Sequence, residues 1–172
     1  RGALQNAGIE PEEIDIVSTH ATSTPMGDVI EARAVREVLP EARLIVDPNE
    51  SWNLELLKSL APTLQALRVD LLEQPLPADA DEGLEGLNLP VPVCADESCH
   101  VSEDLPRLRR RYQAVNIKLE KTGGLTEALK LLEEQRRAEE AQRKAFAKGV
   151  LAKGRALGDQ GHFAQAIQAF QK

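Results

Sequence analysis

The sequence predicts an α/β chain of five parallel βα units, as part of a closed barrel or as an open sheet, followed by a C-terminal helical hairpin. Three observations predict it. Short apolar runs rich in β-branched residues recur along the chain, with helical patterns between them. The repeated β-then-α order calls for parallel strands joined by right-handed crossovers. The strand pattern stops near Leu119, and only helical texture follows.

The strand runs are Ile14–Val17, Leu44–Val46, Val69–Leu72, Val91–Cys94 and Val115–Leu119. Between them Ile30, Ala34 and Val38 are spaced to share one helix face. So are Leu56, Leu60, Leu64 and Leu67, and later Leu125, Leu129 and Leu132. Asp28, Asn53, Ser102 and Thr126 are the N-cap candidates. Pro62 lies inside its helical pattern and is expected to kink or split it. Glu133 to Lys148 is a charged, alanine-rich helical run, and Lys148 to Lys172 is helical again with a break at Gly158–Gly161.

The chain has 172 residues, enough for one well-buried α/β domain with a helical tail. A net charge of −7 argues against a nucleic-acid surface, and one Trp, one Tyr and three Phe are too few for a base-stacking platform. No apolar run approaches the ~20 residues that cross a bilayer, and the N-terminus lacks the pattern of a signal peptide. Cys94 and Cys99 form no repeated C-x-x-C framework, so a reduced, cytoplasmic setting is expected. Since Arg1 and not Met comes first, the sequence is expected to be an excised, processed or assembled piece.

Four signatures occur in order through the middle of the chain: Val46–Asp47–Pro48–Asn49–Glu50–Ser51–Trp52, Leu72–Glu73–Gln74–Pro75–Leu76–Pro77, Asp96–Glu97–Ser98–Cys99–His100, and Asn116–Ile117–Lys118–Leu119 with Lys121–Thr122–Gly123–Gly124. Residues 42–132 thereby resemble strands three to six of an enolase-superfamily barrel of the dipeptide (L-Ala-D/L-Glu) epimerase type. The resemblance implies a partial TIM-like barrel, Mg²⁺ ligands at Asp47, Glu73 and Asp96, and an acid/base lysine at Lys118.

The residues read by themselves agree. All four fall at or just beyond the C-terminal end of an expected strand, where barrel enzymes place their chemistry. The acids are 26 and 23 residues apart, about one βα unit each, so adjacent parallel strands would bring them together. Three hard oxygen ligands suit an octahedral Mg²⁺, and a lysine beside such a cation can remove a proton α to a carboxylate. Acids at strand ends also occur as plain solvated loop residues, and spacing alone leaves both readings open.

The flanks differ. Ala3–Leu4, Gly8–Ile9, Ile14–Asp15 and the run Thr19–His20–Ala21–Thr22–Ser23–Thr24–Pro25–Met26–Gly27–Asp28 make residues 1–39 similar to the β-ketoacyl-acyl-carrier-protein synthases. The resemblance marks His20 as one of two histidines that stabilise developing charge, but the nucleophilic cysteine and the second histidine are missing. His20 is equally a polar residue at a strand end. Gly154, Leu157, Gly161, Phe163, Ala166 and Phe170 give residues 147–172 the spacing of a tetratricopeptide repeat. The expected segments are therefore 1–40, 41–134 and 135–172, the parts of a chimera.

That patchwork bears on function. An epimerase second strand should carry a lysine pair opposing the sixth-strand lysine, and residues 18–26 contain no lysine. One base without an opposite partner is half of what inversion needs. The expectation is a remnant Mg²⁺-dependent epimerase or racemase site, catalytically incomplete, that takes a small carboxylate or dipeptide. The alternatives are a non-catalytic α/β scaffold and a helical interaction module. Open sheet edges at Ile14–Val17 and Val115–Leu119 are expected to favour self-association unless the tail covers them. Phe146, Val150, Leu151, Leu157, Phe163, Ile167 and Phe170 are expected to bury there.

Overall fold

Five short extended segments pair side by side in the order in which they occur along the chain. The computed structural model describes residues 2–20 and 24–159. The strands are β1 (Ile16–His20), β2 (Arg43–Asp47), β3 (Leu71–Glu73), β4 (Val93–Ala95) and β5 (Ala114–Val115), and the helices α1 (Gly2–Ala7), α2 (Pro25–Val38), α3 (Leu54–Ala66), α4 (Leu105–Leu108) and α5 (Leu125–Asp159). They make one parallel sheet of order β1-β2-β3-β4-β5. A doubly wound sheet reverses its strand order at a switch point, whereas an order that never reverses is the winding of a barrel wall.

All five expected strands are present with shifted ends: β3 and β4 each begin two residues later than expected, and β1 and β5 differ most. β1 starts two residues later than Ile14, because the Ile14 N–H is spent on Pro11 O (3.2 Å) in closing the 3₁₀ turn Pro11–Glu13. It extends instead to His20. β5 stops at Val115, short of Leu119. The Asn116 N–H still reaches Ala95 O (2.7 Å), but Lys118 O then accepts from the N–H groups of Lys121 and Thr122, which turns the chain out of the sheet.

Side chains alternate along each strand, and parallel pairing puts partners on the same face. Val46 lies beside Leu72, Leu72 beside Val93 and Ala95 beside Val115. Leu44, Val46, Leu72, Val93 and Ala95 thus form one face, and all five are buried. Helix α2 (Pro25–Val38) packs on β1 and β2 and touches α3 (Leu54–Ala66). Asp47, Glu73 and Cys94 fall on the opposite face with the half-buried Ile45 and Leu71.

The helices correct several expectations. Ile30 is exposed on α2, while Ala32 is buried. On α3 the buried residues are Leu57, Ala61 and Leu64. In α5 (Leu125–Asp159) Leu125, Leu129 and Leu132 are exposed, and Ala128 and Leu131 are buried. Each buried set includes an alanine, and the leucines expected to bury lie beside it.

Asn53 caps α3 as expected, accepting from Leu56 N at 2.8 Å. For α2 the cap is Thr24, which accepts from Gly27 N at 3.2 Å, and Asp28 lies inside the helix. Thr126 lies inside α5, and Ser102 opens a 3₁₀ turn whose backbone N–H groups at His100 and Val101 are taken by Asp104. Pro62 does not split α3. It lies on the exposed side, where a helix tolerates a missing hydrogen bond best.

Arg36 binds the βα units at the end of the sheet opposite the site. Its Nε donates to Leu67 O (2.9 Å), Nη1 to Pro40 O and Ala42 O (2.9 and 2.8 Å), and Nη2 to Arg68 O (2.8 Å).

The chain divides into two compact units, Arg1–Ala128 and Leu129–Lys172. Helix α5 is continuous through Gly149 and Gly154 for 35 residues. The expected break at Gly158–Gly161, the second arm of the hairpin and the repeat-like positions Gly161, Phe163, Ala166 and Phe170 extend outside the described residues. Phe146, expected to bury, is exposed.

Leu72 is at the centre of the buried face with no exposed surface. Leu72→Ala should lower unfolding free energy by about 2–5 kcal/mol, since the packed face collapses only partly around the lost atoms. Urea unfolding should show a lower midpoint at unchanged slope. A loss below about 1 kcal/mol would mean that this face is not the core.

Candidate active site

The strand C-termini carry the acidic residues that the sequence singles out. Asp47 ends β2, Glu73 ends β3, and Asp96 directly follows β4. Alternation puts Asp96 on the face of Cys94, and Asn116 and Lys118 on the face of Ala114, so all five polar groups share the face opposite the core. His20 ends β1 in register with Asp47 and belongs to the same rim.

The loops above the strands are joined to one another. Glu50 N donates to Gln74 O (2.8 Å), Trp52 N to Pro75 O (3.0 Å), and Ala78 N to Glu50 Oε1 (2.7 Å). Asn49 and Glu50 adopt left-handed backbone angles, φ 50° and 63°. That turn lets the Asn49 N–H reach Asp47 Oδ1 at 2.9 Å. The buried Trp52 indole donates to Asp28 Oδ2 at 2.9 Å and thereby ties the β2 loop to α2.

Within the rim Lys118 Nζ bonds Asp96 Oδ2 at 2.5 Å, and Lys121 Nζ bonds Asp96 Oδ1 and Glu97 Oε1, both at 2.8 Å. Asn116 Nδ2 donates to Glu73 Oε1 at 2.7 Å. The Asp96 side chain is buried and that of Lys118 about one-third exposed.

The electrostatics follow from these contacts. Burial raises Asp47 above the usual carboxylate range. The Asn49 N–H opposes that shift and the nearby Asp96 charge adds to it. Glu73 is also raised by burial, against the Asn116 hydrogen bond and with the repulsion of Asp47 and Asp96. Burial would raise Asp96 as well, but the bonds from Lys118 and Lys121 outweigh it and hold Asp96 low. Lys118 is raised, chiefly by its bond to Asp96, and is therefore held as the ammonium.

The three expected ligands share a face and sense one another's charge. Among the described residues, no three His, Cys, Asp or Glu side chains are gathered as a metal site, and both Asp96 oxygens are turned to lysines. The donor chemistry nonetheless fits a hard divalent cation: three oxygen ligands, two of them raised by burial and mutual repulsion that a cation would relieve.

His20 has a mostly exposed side chain, with Nδ1 4.0 Å from Asp47 Oδ2. No thiol complements it as a condensing enzyme would need. Cys94 and Cys99 are both buried, and burial pushes their thiols up to about 12 and about 11, far from the nucleophilic thiolate.

Sequence reasoning named Asp47, Glu73, Asp96 and Lys118 but gave no role to Asn116, Lys121 or Gln74. Asn116 was within reach of the two-residue period, being two positions before Lys118. Lys121 gave no such signal, because only the turn after Lys118 brings it back to Asp96.

A singly wound parallel wall with acidic groups and a lysine along its C-terminal rim is the arrangement of an α/β-barrel wall. The chain belongs to the enolase C-terminal domain-like family, whose model matches residues 5–151. It is 55% identical over 103 residues to the L-Ala-D/L-Glu epimerase of Escherichia coli (strain K12), covering 60% of this chain and 32% of that protein. It is 50% identical over 113 residues to an N-acetyl-D-glutamate racemase of a Pseudoalteromonas species, covering 66% of this chain and 34% of that protein. The chain thus spans about a third of the length of these curated relatives.

Among solved structures, an L-Ala-D/L-Glu epimerase superposes with a TM-score of 0.64 at 45% identity, over 79% of this chain and 41% of that one. The dipeptide epimerase of Cytophaga hutchinsonii, complexed with Mg and D-Ala-L-Val, superposes with a TM-score of 0.69 at 25% identity, over 80% of this chain and 38% of that one. The family match runs unbroken through residue 40, across the boundary expected for a synthase-like segment.

The raised acids make a pH prediction. A carboxyl raised in the folded state binds more protons there than in the unfolded chain, so its contribution to stability falls as pH rises through the window above its ordinary value. Asp96 and Asp104, held low, act in the opposite sense and only at lower pH. As pH rises above the ordinary values of 3.8 and 4.5 the wild type should therefore lose thermal stability relative to Asp47→Asn/Glu73→Gln. Parallel melting curves for the two proteins above those values would contradict the assignment.

Proposed function

We propose that this chain carries a Mg²⁺-dependent site of the epimerase and racemase type, acting at the α-carbon of an N-acylated amino acid carboxylate. The observation that carries the reading is the common rim of Asp47, Glu73 and Asp96 with Lys118 bonded to Asp96. The two relatives named above act, by their names, on L-Ala-D/L-Glu and on N-acetyl-D-glutamate. The shared chemistry is a glutamate acylated on nitrogen, whose α-carbon changes configuration.

Asp47, Glu73 and Asp96 would hold the cation, which when bound supplies positive charge beside the substrate carboxylate and the enediolate formed from it. Asn116 holds one Glu73 oxygen in place, and the Asn49 N–H holds one Asp47 oxygen. Lys118 is the base. Its ion pair with Asp96 keeps it protonated, so it can accept the α-proton only when Asp96 is engaged elsewhere. Lys121 remains paired with Glu97 and keeps a positive charge beside that exchange.

The rim offers Lys118 no opposing lysine from β1. The reading is therefore of half a racemase, in which the proton returns from the side it left. The synthase-like start and the repeat-like end remain readings of sequence beside this one. In the fold the first βα unit serves as a barrel unit, with β1 paired to β2 along its full length.

Mg²⁺ at millimolar concentration should raise the melting temperature, and Asp96→Asn should abolish the rise. An unchanged melting curve for the wild type would sink the metal site. With L-Ala-L-Glu in D₂O, slow exchange of the glutamate α-proton without inversion is expected, lost in Lys118→Ala. Net epimerisation would show that a second acid/base group completes the site.

A further inference from the structure

Gln74 immediately follows the ligand candidate Glu73, has no exposed surface, and adopts a left-handed backbone angle, φ 31°. A non-glycine residue held there is strained, so surrounding contacts must over-determine it. Its hydrogen bonds do. The backbone N–H continues the ladder to Cys94 O (2.9 Å), and the carbonyl receives Glu50 N from the β2 loop (2.8 Å). The side-chain Oε1 accepts two backbone N–H groups of the β4 loop, Asp96 at 2.8 Å and Ser98 at 3.1 Å.

The amide nitrogen is equally committed. Nε2 lies 2.8 Å from Leu76 O, 2.9 Å from Ser98 Oγ and 3.0 Å from Tyr112 OH. Its two hydrogens serve Leu76 O and the pair of hydroxyls. Both hydroxyls in turn donate to Asp81 Oδ2, each at 2.7 Å. Asp81 is fully buried, and its other oxygen takes Arg111. This chain of donors fixes which way the amide points: Asp81 is acceptor only, so the hydroxyls must accept from Gln74, and Oε1 must face Asp96.

We propose that Gln74 is the positioning residue of the metal site: one buried amide fixes the backbone that carries Asp96 against the backbone that carries Glu73. The inference rests on the reading of the rim given above. Glu73 ends β3 and Asp96 follows β4, and their side chains are not hydrogen-bonded to each other. Gln74 belongs to the Glu73 loop by sequence and bonds the Asp96 N–H, so the separation of the two carboxylates is set through it. Asp81, Ser98 and Tyr112 hold the amide and do not reach the rim.

The test uses the full chain and Mg²⁺ alone, following thermal shift and the fluorescence of Trp52. Gln74→Leu should weaken the apparent Mg²⁺ affinity by about 10–100-fold, the usual effect of removing a group that orients a metal ligand. Tyr112→Phe should lower thermal stability and leave Mg²⁺ affinity within about 3-fold, because it spares the Oε1 bonds. If Gln74→Leu does not fold, Gln74→Asn, which withdraws Oε1 by one methylene, carries the same expectation. Equal Mg²⁺ affinity in wild type and a folded Gln74 variant would overturn the inference and leave the metal site standing. So would an affinity loss in Tyr112→Phe as large as in Gln74→Leu, which would make the whole network merely structural. A wild type that binds no Mg²⁺ would overturn the metal-site reading and this inference together.

Discussion

In-register parallel pairing of five consecutive strands is the constraint from which the rest of this structure follows. Because β1 to β5 run the same way and pair in sequence order, every strand ends on the same rim. Because paired residues share a face, the alternation that buries Leu44, Val46, Leu72 and Val93 also lifts Asp47, Glu73 and Asp96 onto the opposite side. A one-residue slip at β3 would bury Glu73 and expose Leu72. The core thus enforces the register, and the register assembles the site.

Two levels of polar structure lie above that sheet. The outer level is charged: Lys118 and Lys121 hold Asp96, and Asn116 holds Glu73. Apart from the buried Asp96, its members are partly exposed and can exchange partners. The inner level is closed: Gln74, Ser98, Tyr112 and Asp81 satisfy one another out of contact with water. Buried networks of this kind are costly when any member is lost, because the rest cannot turn to solvent. An exchangeable outer level on a fixed inner one suits a site whose carboxylates must keep their places while their counter-charges change.

The β1 strand shows how little the wall demands of any one unit. It falls within the match to the family model, pairs with β2 from Ile16–Arg43 to His20–Asp47 and packs against α2. What it brings to the rim is a histidine next to Asp47 and no lysine. Barrel geometry accepts any apolar alternating segment with a helix behind it, whereas chemistry depends on the residue at the strand end.

Strand count, parallel order and the rim positions of Asp47, Glu73 and Asp96 were legible in the sequence, because apolar runs at one-unit intervals leave few ways to wind. The period of a helix was legible too, but not its buried side. Leu125, Leu129 and Leu132 form a stripe as expected and are exposed, while Ala128 and Leu131 are buried. Asp28 illustrates the same limit. It has the chemistry of a helix cap, and only Trp52, from a loop 24 residues away, makes it an interior acceptor. Lys121 and Gln74 went unassigned for that reason as well. Their partners are separated from them by 25 and 22 residues, and neither composition nor period records which way a turn sends a side chain. The sequence by itself determined the elements and the end of the sheet where charge collects, since both follow from local periodicity. Only the tertiary structure decided which hydrogen bonds hold Asp96 beside Glu73, because those bonds join loops that meet only after the sheet has formed.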